Sequence, residues 1–373
     1  MSLRRTFIAC TLLVSLCASG RAWSAADAIV IGQSLPLTGP SFPIANRVVA
    51  GAQAEVARVN ASGGIRGRAL ELVTLDDGGD PKRVAANLRS LVVEHGAVVV
   101  VNCLGERSCL AAAEATQALH VPLVGPFSGA RALRTRASGN VFSMRPDDER
   151  EAVVLVRQLQ SIGIARAVLL ADEAEPARTE ALAAVLRREG IEVARIGASP
   201  NEASLEAALH AVAQAAPQAL VLSVGPDVLD ALGRLPVVAR DGMPPTIAML
   251  SSTGLTQLTR LFRDRLIGYA SVVPNPEVAH QAIVRELQRD ADAYIGPEAV
   301  TFEGLESYLH LRLCVEALRH TSGGLDGARL SESIERLGVL DLGGFAVTFG
   351  RDRHHGSDFV EIGMRARDGR LQQ

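Results

Sequence analysis

The feature that most constrains the fold is a regular alternation of short apolar strands with amphipathic helices. It occurs in two successive runs, at about residues 29–124 and 167–270. Such alternation is typical of parallel sheets whose two faces are covered by helices. The sequence therefore predicts an α/β protein with two doubly wound parallel-sheet lobes, which 373 residues accommodate at ordinary domain sizes.

The segments around these runs predict crossings and a final set of elements. Arg145-Pro146-Asp147 lies between the runs and Pro274-Asn275-Pro276 follows the second, so each predicts a passage between lobes. Helices are then expected near residues 277–294, 301–319 and 329–337. The chain is expected to end in hairpin-like strands at Phe345–Phe349 and Phe359–Ala366.

The segment Ile31–Pro81 indicates where function is located. A short apolar strand leads into the turn Ser34-Leu35-Pro36-Leu37-Thr38-Gly39-Pro40, and a long Ala-rich helix follows. In open α/β folds, ligands bind at the carboxyl ends of the strands, in loops of this kind. We therefore expect the functional site near Ser34–Ile44.

Residues 1–26 have the pattern of a secretory signal peptide. Arg4 and Arg5 precede a short apolar run, Thr6–Ala18, and small residues follow it. Removal of this segment reduces 38 Lys and Arg residues to 35, against 41 Asp and Glu, so the mature net charge is −6. This negative net charge, together with an aromatic content of only 3%, argues against a nucleic-acid partner. We expect a soluble, exported product in a bacterial periplasm.

Three cysteines remain after the signal segment, and export makes disulfide bonds possible. Cys103 and Cys109 lie on one loop and are close enough in sequence to bridge, which would leave Cys314 as a buried free thiol. The alternative is that all three are packing residues. The spacing does not decide between these interpretations.

Several segments carry a resemblance to a known family. They are SLPLTGP, Gly51 within the first helix, N-x-x-GGI-x-GR before the second strand, DD-x-x-DP after it, and the stretches Leu110–Pro126 and Phe142–Glu151. With them the chain resembles the substrate-binding proteins of branched-chain amino acid ABC transporters, which have the type I periplasmic binding protein fold. The resemblance runs from about residue 27 to the end and fades in detail after residue 175.

The resemblance implies a domain organisation. The chain would cross between two lobes three times, through a three-segment hinge. The first lobe would hold residues 27–144 and 273–357, and the second residues 145–272 and 358–373. A ligand would lie between the lobes, which close by hinge bending.

The loop after the first strand is the first candidate for ligand contact. It places Ser41 and Phe42 at the mouth of the expected cleft, and Ile44 falls where the family often has an aromatic wall. With Leu37, these apolar residues would contact the apolar part of a ligand. Ordinary core packing is the alternative for Phe42 and Ile44.

The second candidate loop contains Leu104, Gly105 and Glu106 and precedes a helix whose N-terminal amides suit a carboxylate. By the resemblance, Glu106 falls at the family's carboxylate-binding serine, and its charge would repel a ligand carboxylate unless it points away. Arg107 or Ser108 would then substitute. The alternative is that Glu106 and Arg107 form a solvated pair at the rim.

The third candidate loop contains Phe127, Ser128 and Gly129. The threonine that the family usually has aligns with Gly129, while Ser128 still offers a hydroxyl. We expect Ser128 or its neighbours at the cleft.

The second lobe departs most from the family pattern. The usual Tyr-Gly pair is replaced by the acidic stretch 172–175, a tyrosine by Gly225, and the ammonium-binding carboxylate by Ser251. An ammonium needs an anionic or aromatic partner in a closed site. Glu173 or Glu175 would supply one, unless this stretch is a solvated acidic loop. These departures argue against an α-amino acid as the ligand.

No catalytic, cofactor or metal motif is expected. His354-His355 on a polar turn predicts surface residues rather than a metal site. The spacing of Asp76, Asp77 and Asp80 is not that of an EF-hand, and Asp80 is expected to cap the helix that begins at Pro81.

The sequence therefore predicts a monomeric periplasmic solute-binding protein of an ABC importer. It would capture a small organic ligand, amino acid-like or a small organic acid or amide, and present it to an inner-membrane permease. The alternative is an exported sensor subunit with the same fold, which a neighbouring kinase gene would indicate. An enzyme is not expected, because no nucleophile–base pair is visible.

Overall fold

The computed structural model of the chain describes residues 28–135, 139–172, 175–235, 242–254, 261–262, 265–277, 280–365 and 371–372. The predicted signal peptide and Glu173 lie outside the described residues.

The first sheet has five parallel strands in the order β2-β1-β3-β4-β5. They are β1 (Ile29–Leu35), β2 (Leu70–Asp76), β3 (Val99–Val101), β4 (Leu123–Val124) and β5 (Val141–Phe142). The order reverses beside β1, since β2 and β3 flank it on opposite sides. A ligand crevice is expected at such a reversal, outside the carboxyl ends of the strands.

Helices from two parts of the chain complete this half of the molecule. They are α1 (Phe42–Ala61), α2 (Pro81–Val93) and α3 (Glu106–Ala118), and later α8 (Ala282–Asp290), α9 (Phe302–His320) and α10 (Gly327–Arg336). The helix α9 is buried along nearly its whole length and packs along α1. Asp80 caps α2 by accepting a hydrogen bond from the Lys82 backbone N–H, as predicted.

The second sheet has seven strands in the order β14-β13-β10-β9-β8-β6-β7. They are β6 (Arg166–Ala171), β7 (Glu192–Gly197), β8 (Ala219–Ser223), β9 (Thr246–Met249), β10 (Leu266–Ser271), β13 (Glu361–Arg365) and β14 (Leu371–Gln372). The first five are parallel, whereas β13 and β14 are antiparallel additions at one edge. The helices α4 (Asp148–Ser161), α5 (Pro176–Arg188), α6 (Glu202–Ala215) and α7 (Pro226–Arg234) belong to this half.

The chain passes between the sheets three times: after β5, after β10 and before β13. We call the five-stranded sheet with its helices the first lobe, and the seven-stranded sheet with its helices the second lobe. The prediction of two α/β lobes joined by three crossings is confirmed. Among the described residues no helix has the length and apolar character needed to cross a bilayer.

One prediction about elements was wrong, and one helix was not predicted. The strands near Phe345 and Phe359 do not form a hairpin, because β12 (Ala346–Thr348) pairs with β11 (Val339–Asp341) while β13 pairs with β10. The helix α4, which directly follows the correctly predicted crossing at residues 145–147, was not predicted. Asp147 caps this helix by accepting a hydrogen bond from the Arg150 N–H.

Candidate functional site

A cavity of about 300 Å³ lies between the two lobes, at the carboxyl ends of both sheets. Loops after β1, β3 and β4 line it from the first lobe, and loops after β6, β8 and β9 line it from the second. Its apolar lining includes Ile44, Leu104, Phe127, Val272, Val273 and Phe302. The size suits a small organic molecule.

The structure brings eight of the twelve predicted contact residues together around this cavity. They are Ser41, Ile44, Leu104, Gly105, Glu106, Phe127, Glu175 and Ser251. Contact of any of them with a ligand stays a prediction.

The other four predicted residues are not part of the cavity lining. Phe42 is the first residue of α1 and is 46% exposed. Ser128 is buried, and its hydroxyl accepts a hydrogen bond from the Ala130 N–H. Gly129 packs so tightly on Asp148 that a side-chain carbon would overlap it, which leaves no space for the family's threonine. Gly225 caps α7 and donates its N–H to Asp172 Oδ2 at 2.6 Å.

The first loop is held in place by the acidic turn after β2. Asp76 accepts hydrogen bonds from the Leu37 N–H at 2.9 Å and the Thr38 hydroxyl at 2.8 Å. Asp77 accepts one from the Ser34 hydroxyl at 2.9 Å. The aspartates therefore position the loop of β1, and no metal ion is needed to explain them.

A disulfide bond joins Cys103 to Cys109 and so links the second loop to the first turn of α3. Gly105 caps α3 with a φ of 82°, a backbone conformation that favours glycine. Leu104 lies beside Phe127 of the neighbouring loop, and the Phe127 N–H donates to Cys103 O. The N-terminus of α3 is thus fixed in place at the cavity.

Two carboxylates connect the lobes at the cavity. Glu106 of the first lobe accepts a hydrogen bond from the Ala177 N–H, in the first turn of α5, at 3.0 Å. Glu175 of the second lobe faces the backbone N–H of Glu106, and this N–H group favours the charged form of the Glu175 side chain. Each carboxylate therefore lies at the N-terminus of a helix in the opposite lobe, where the helix dipole stabilises negative charge.

Burial raises the pKa of several carboxyl groups in and beneath the cavity. It raises the pKa of both Glu106 and Glu175. It also raises the pKa of Glu303, which lines the cavity from the first turn of α9, and that of Asp148 beneath it. The cause is loss of hydration, which disfavours the charged form.

The cavity floor contains one strong ion pair. Arg145 donates to Glu306 through Nε at 2.8 Å and Nη2 at 2.7 Å, and both side chains are buried. His310 lies one helical turn beyond Glu306, and burial lowers its pKa to about 3, so its ring is neutral at pH 7. The His310 Nδ1 contacts Asn102 Oδ1 at 2.9 Å and acts as the donor there. These contacts hold α9 against the loop of β3.

Sequence reasoning missed part of the lining. Arg107 and Ser108 were considered only as substitutes. The other missed polar residues are Arg145, Asp227, Ser252, Ser271, Glu303 and Glu306. Arg145 stands in a segment that carried the family resemblance, which was a usable signal. Glu303 and Glu306 come from the start of α9, more than 170 residues after the loop of β4, and no local pattern marks them.

No group of His, Cys, Asp and Glu residues within the described part of the chain has the arrangement of a metal site. His354 contacts Glu335 through Nε2 at 3.1 Å and stacks on Phe142. Its contacts are those of a packing residue. Cys314 is a buried free thiol whose pKa is raised by burial.

Comparison with known proteins identifies the family to which this two-lobed structure belongs. The family model described as periplasmic binding protein matches residues 28–364. A Leu/Ile/Val-binding protein homolog from Brucella melitensis is 30% identical over 127 residues, or 34% of each chain. The alignment thus spans about a third of the length of the curated relatives that the chain matches.

Solved structures match over a much larger share of the chain. An extracellular ligand-binding receptor from Verminephrobacter eiseniae is 25% identical with a TM-score of 0.81, covering 93% of this chain and all of that one. A possible leucine/isoleucine/valine-binding protein from Rhodopirellula baltica is 23% identical with a TM-score of 0.82, covering 94% and 97%. These matched proteins are named for binding, not for catalysis. With a family model matching most of its length, the chain belongs to the periplasmic binding protein family.

Proposed function

We propose that the chain is exported to the periplasm, captures a small organic ligand between its lobes and delivers it to an inner-membrane permease of an ABC importer. The names of the relatives support a binding role, and the signal-like residues 1–26 support export. The protein is proposed to act as a monomer.

One observation carries this proposal: the cavity receives loops from the carboxyl ends of both sheets. A ligand there contacts both lobes only when they are closed. Its binding free energy therefore shifts the population toward the closed form, which a permease can distinguish from the open form.

The proposed lobe boundaries are residues 27–144 with 273–357, and 145–272 with 358–373. The sheet memberships support them, since β1–β5 fall in the first set and β6–β10 with β13 and β14 fall in the second. The connections at residues 143–147, 272–274 and 349–360 would form the hinge.

A thermal-shift screen over amino acids, amines, amides and organic acids tests the binding role. Ligands of the folded state raise the melting temperature by mass action. Small-angle scattering on each hit should show a more compact particle. The proposal fails if no small molecule stabilises the protein and none makes it more compact.

A matched pair of variants locates the binding site. Ile44→Trp places a larger side chain against the cavity, and Val93→Trp makes the same kind of change at a position of α2 that is 64% exposed. Only Ile44→Trp should abolish the thermal shift, with ligand-free melting curves showing that both variants fold. Equal shifts in both would place the ligand elsewhere.

Deletion of the gene in the source bacterium tests delivery. We expect lost uptake of the identified ligand. Unchanged uptake with loss of a transcriptional response to the ligand would instead support the sensor function.

A further inference from the structure

We propose that the cleft selects an aliphatic, positively charged ligand without a free carboxylate, because Glu106 and Glu175 already occupy the helix N-termini where a ligand carboxylate would bind. This inference rests on the proposed ligand-binding function and names the chemical class of the ligand.

The first step concerns the two helix N-termini at the cavity. Both α3 and α5 have 13 residues and direct their first N–H groups toward the space between the lobes. Such N–H groups bind anions. Here the Glu106 carboxylate accepts a hydrogen bond from the Ala177 N–H at 3.0 Å, and the Glu175 carboxylate faces the Glu106 N–H. At the N-terminus of each of these two helices, a carboxylate of the chain itself thus takes the place of a ligand carboxylate.

These two carboxylates also lie close together across the cleft. A side-chain carbon at Gly105 would lie 3.4 Å from Glu175 Oε1, so the second-lobe carboxylate is in contact with the loop that carries Glu106. An incoming ligand carboxylate would have to displace one of them and then remain beside both. Like charges in a site of low polarity disfavour this strongly.

The second step concerns the charge of the described lining. Its carboxylates are Glu106, Glu175, Asp227, Glu303 and Glu306, and its guanidinium groups are Arg107 and Arg145. Arg145 makes two hydrogen bonds to Glu306, so this pair is internally balanced. Arg107 is exposed, where solvent weakens its attraction for buried groups. Negative charge is therefore in excess.

Two arginines outside the lining reduce this excess without removing it: Arg47 lies near Glu303, and with Arg178 it brings the guanidinium groups to four against five lining carboxylates. Arg178 lies beneath the cavity. It donates hydrogen bonds to Ser223, Ser252 and the Val224 carbonyl, and it lies near Asp148. Burial raises the pKa of Glu175 although Arg178 opposes that change. A ligand cation would supply the missing counter-charge.

The third step concerns an unused acceptor. Glu303 is 6% exposed and lines the cavity, and its Oε2 has no hydrogen-bond partner among the described residues. A buried carboxylate oxygen without a donor is costly. An ammonium group has three donors and a positive charge, so it satisfies such an oxygen and neighbouring carboxylates together.

The remaining lining determines what kind of cation fits. Ile44, Leu104, Phe127 and Val273 form an apolar surface in the same cavity. A ligand that uses both surfaces has an ammonium at one end and an aliphatic group at the other. Aliphatic amines and amino-acid amides have this form.

Isothermal titration calorimetry at pH 7 with four probes tests the inference. Leucine, leucinamide, isoamylamine and isovalerate share an isobutyl end, so they differ chiefly in polar groups and charge. We expect leucinamide and isoamylamine to bind at least about tenfold more tightly than leucine, and isovalerate not to bind.

Variants connect this preference to the named carboxylates. Glu106→Gln with Glu175→Gln should weaken amine binding about tenfold or more and reduce the gap between leucinamide and leucine. Glu303→Gln provides an independent test if the double variant does not fold. Glu206→Gln, at an exposed position of α6, is the control and should change neither affinity.

The outcomes separate this inference from the proposed function. Leucine or isovalerate binding as tightly as the amines would overturn the inference and leave the binding function intact. If none of the four probes binds, the thermal-shift screen tests the inference instead. A hit that carries a carboxylate and no cationic group would then overturn the inference as well. Absence of any binder, together with unchanged compactness, would overturn both.

Discussion

Glu151 is a fully buried carboxylic acid in the first turn of α4, beside the first crossing between the lobes. Its Oε2 accepts a hydrogen bond from the Ser251 N–H at 3.0 Å, and its Oε1 has no partner among the described residues. Burial raises its pKa to about 7, although the charge of Arg145 opposes this and Asp148 adds to it. The group is therefore close to half-protonated at neutral pH.

The raised pKa makes stability depend on pH in a defined direction. Between pH 4.5 and pH 7 the folded chain holds a proton at Glu151 that the unfolded chain has released. The free energy of unfolding therefore falls as pH rises through this window, by roughly 3 kcal/mol at most. Above pH 7 this contribution is constant.

Glu151→Gln removes this titration while keeping an acceptor for the Ser251 N–H. Urea unfolding of both proteins should show that the variant gains roughly 2–3 kcal/mol relative to wild type between pH 5 and pH 8.5. The quantity compared is the change in each protein's free energy of unfolding between the two pH values. Packing effects of the substitution that do not depend on pH therefore cancel. A Glu206→Gln control should show no such gain, and a parallel pH dependence of Glu151→Gln and wild type would contradict the assignment.

Single cleft residues were predictable where a loop directly follows a strand. Ile44, Leu104 and Glu175 are examples, because parallel strands bring the loops at their carboxyl ends to one edge. Glu303 was not predictable, since the packing of α9 on α1 brings it to the cavity. Gly129 shows the opposite error. Its loop was correctly predicted to reach the cavity, but Gly129 itself packs against Asp148 and does not line the cavity.

At the scale of elements, the contact between α1 and α9 depends on two glycines, Gly51 and Gly304. A side-chain carbon at Gly51 would overlap the carbonyl group of Gly304, so the two helix backbones touch at this point. Gly51 also belongs to the pattern on which the family resemblance was based. Its role is to let α9 approach and bring Glu303 and Glu306 to the cavity.

Gly51→Ala should therefore destabilise the protein by about 2–3 kcal/mol, because α1 and α9 must move apart. It should also weaken ligand binding, since the displaced helix carries two lining residues. Gly197→Ala is the matched control: a side-chain carbon there has nothing within 4 Å and no positive φ is involved. If both variants unfold at the same urea concentration, the helix contact does not limit stability.

Elements with strong periodicity were predictable within a few residues, and elements defined by distant partners were not. The sequence pattern predicts a strand at Ile29–Gln33 and a helix near Ile44–Asn60, and β1 and α1 end within two residues of these bounds. Local pattern and tertiary burial agree there. The wrong hairpin arose because the alternating pattern of Glu361–Arg365 predicts a strand without naming its partner. Its partner, β10, is about 90 residues earlier in the chain.

At the scale of the whole molecule, the second lobe is assembled from two separated segments. Residues 145–272 supply its parallel strands, and the final segment supplies β13, which pairs antiparallel with β10 from Ile267–Arg365 to Ser271–Glu361. Without that segment, β10 would be an unpaired edge whose residues are mostly buried in the intact chain. Exposed apolar edges of this kind promote association.

The register offers a direct test of this organisation and of the proposed lobe boundaries. Since Ser271 lies opposite Glu361, a short glycine linker can join residue 272 to residue 359 as a hairpin. We expect the fused chain 145–272 plus 359–373 to be monomeric by size-exclusion chromatography and to melt cooperatively. The fragment 145–272 alone should associate and melt without a clear transition, because β10 lacks its partner. Equal behaviour of the two would mean that β13 is not needed to complete the second lobe and that the proposed boundary at residue 358 is misplaced.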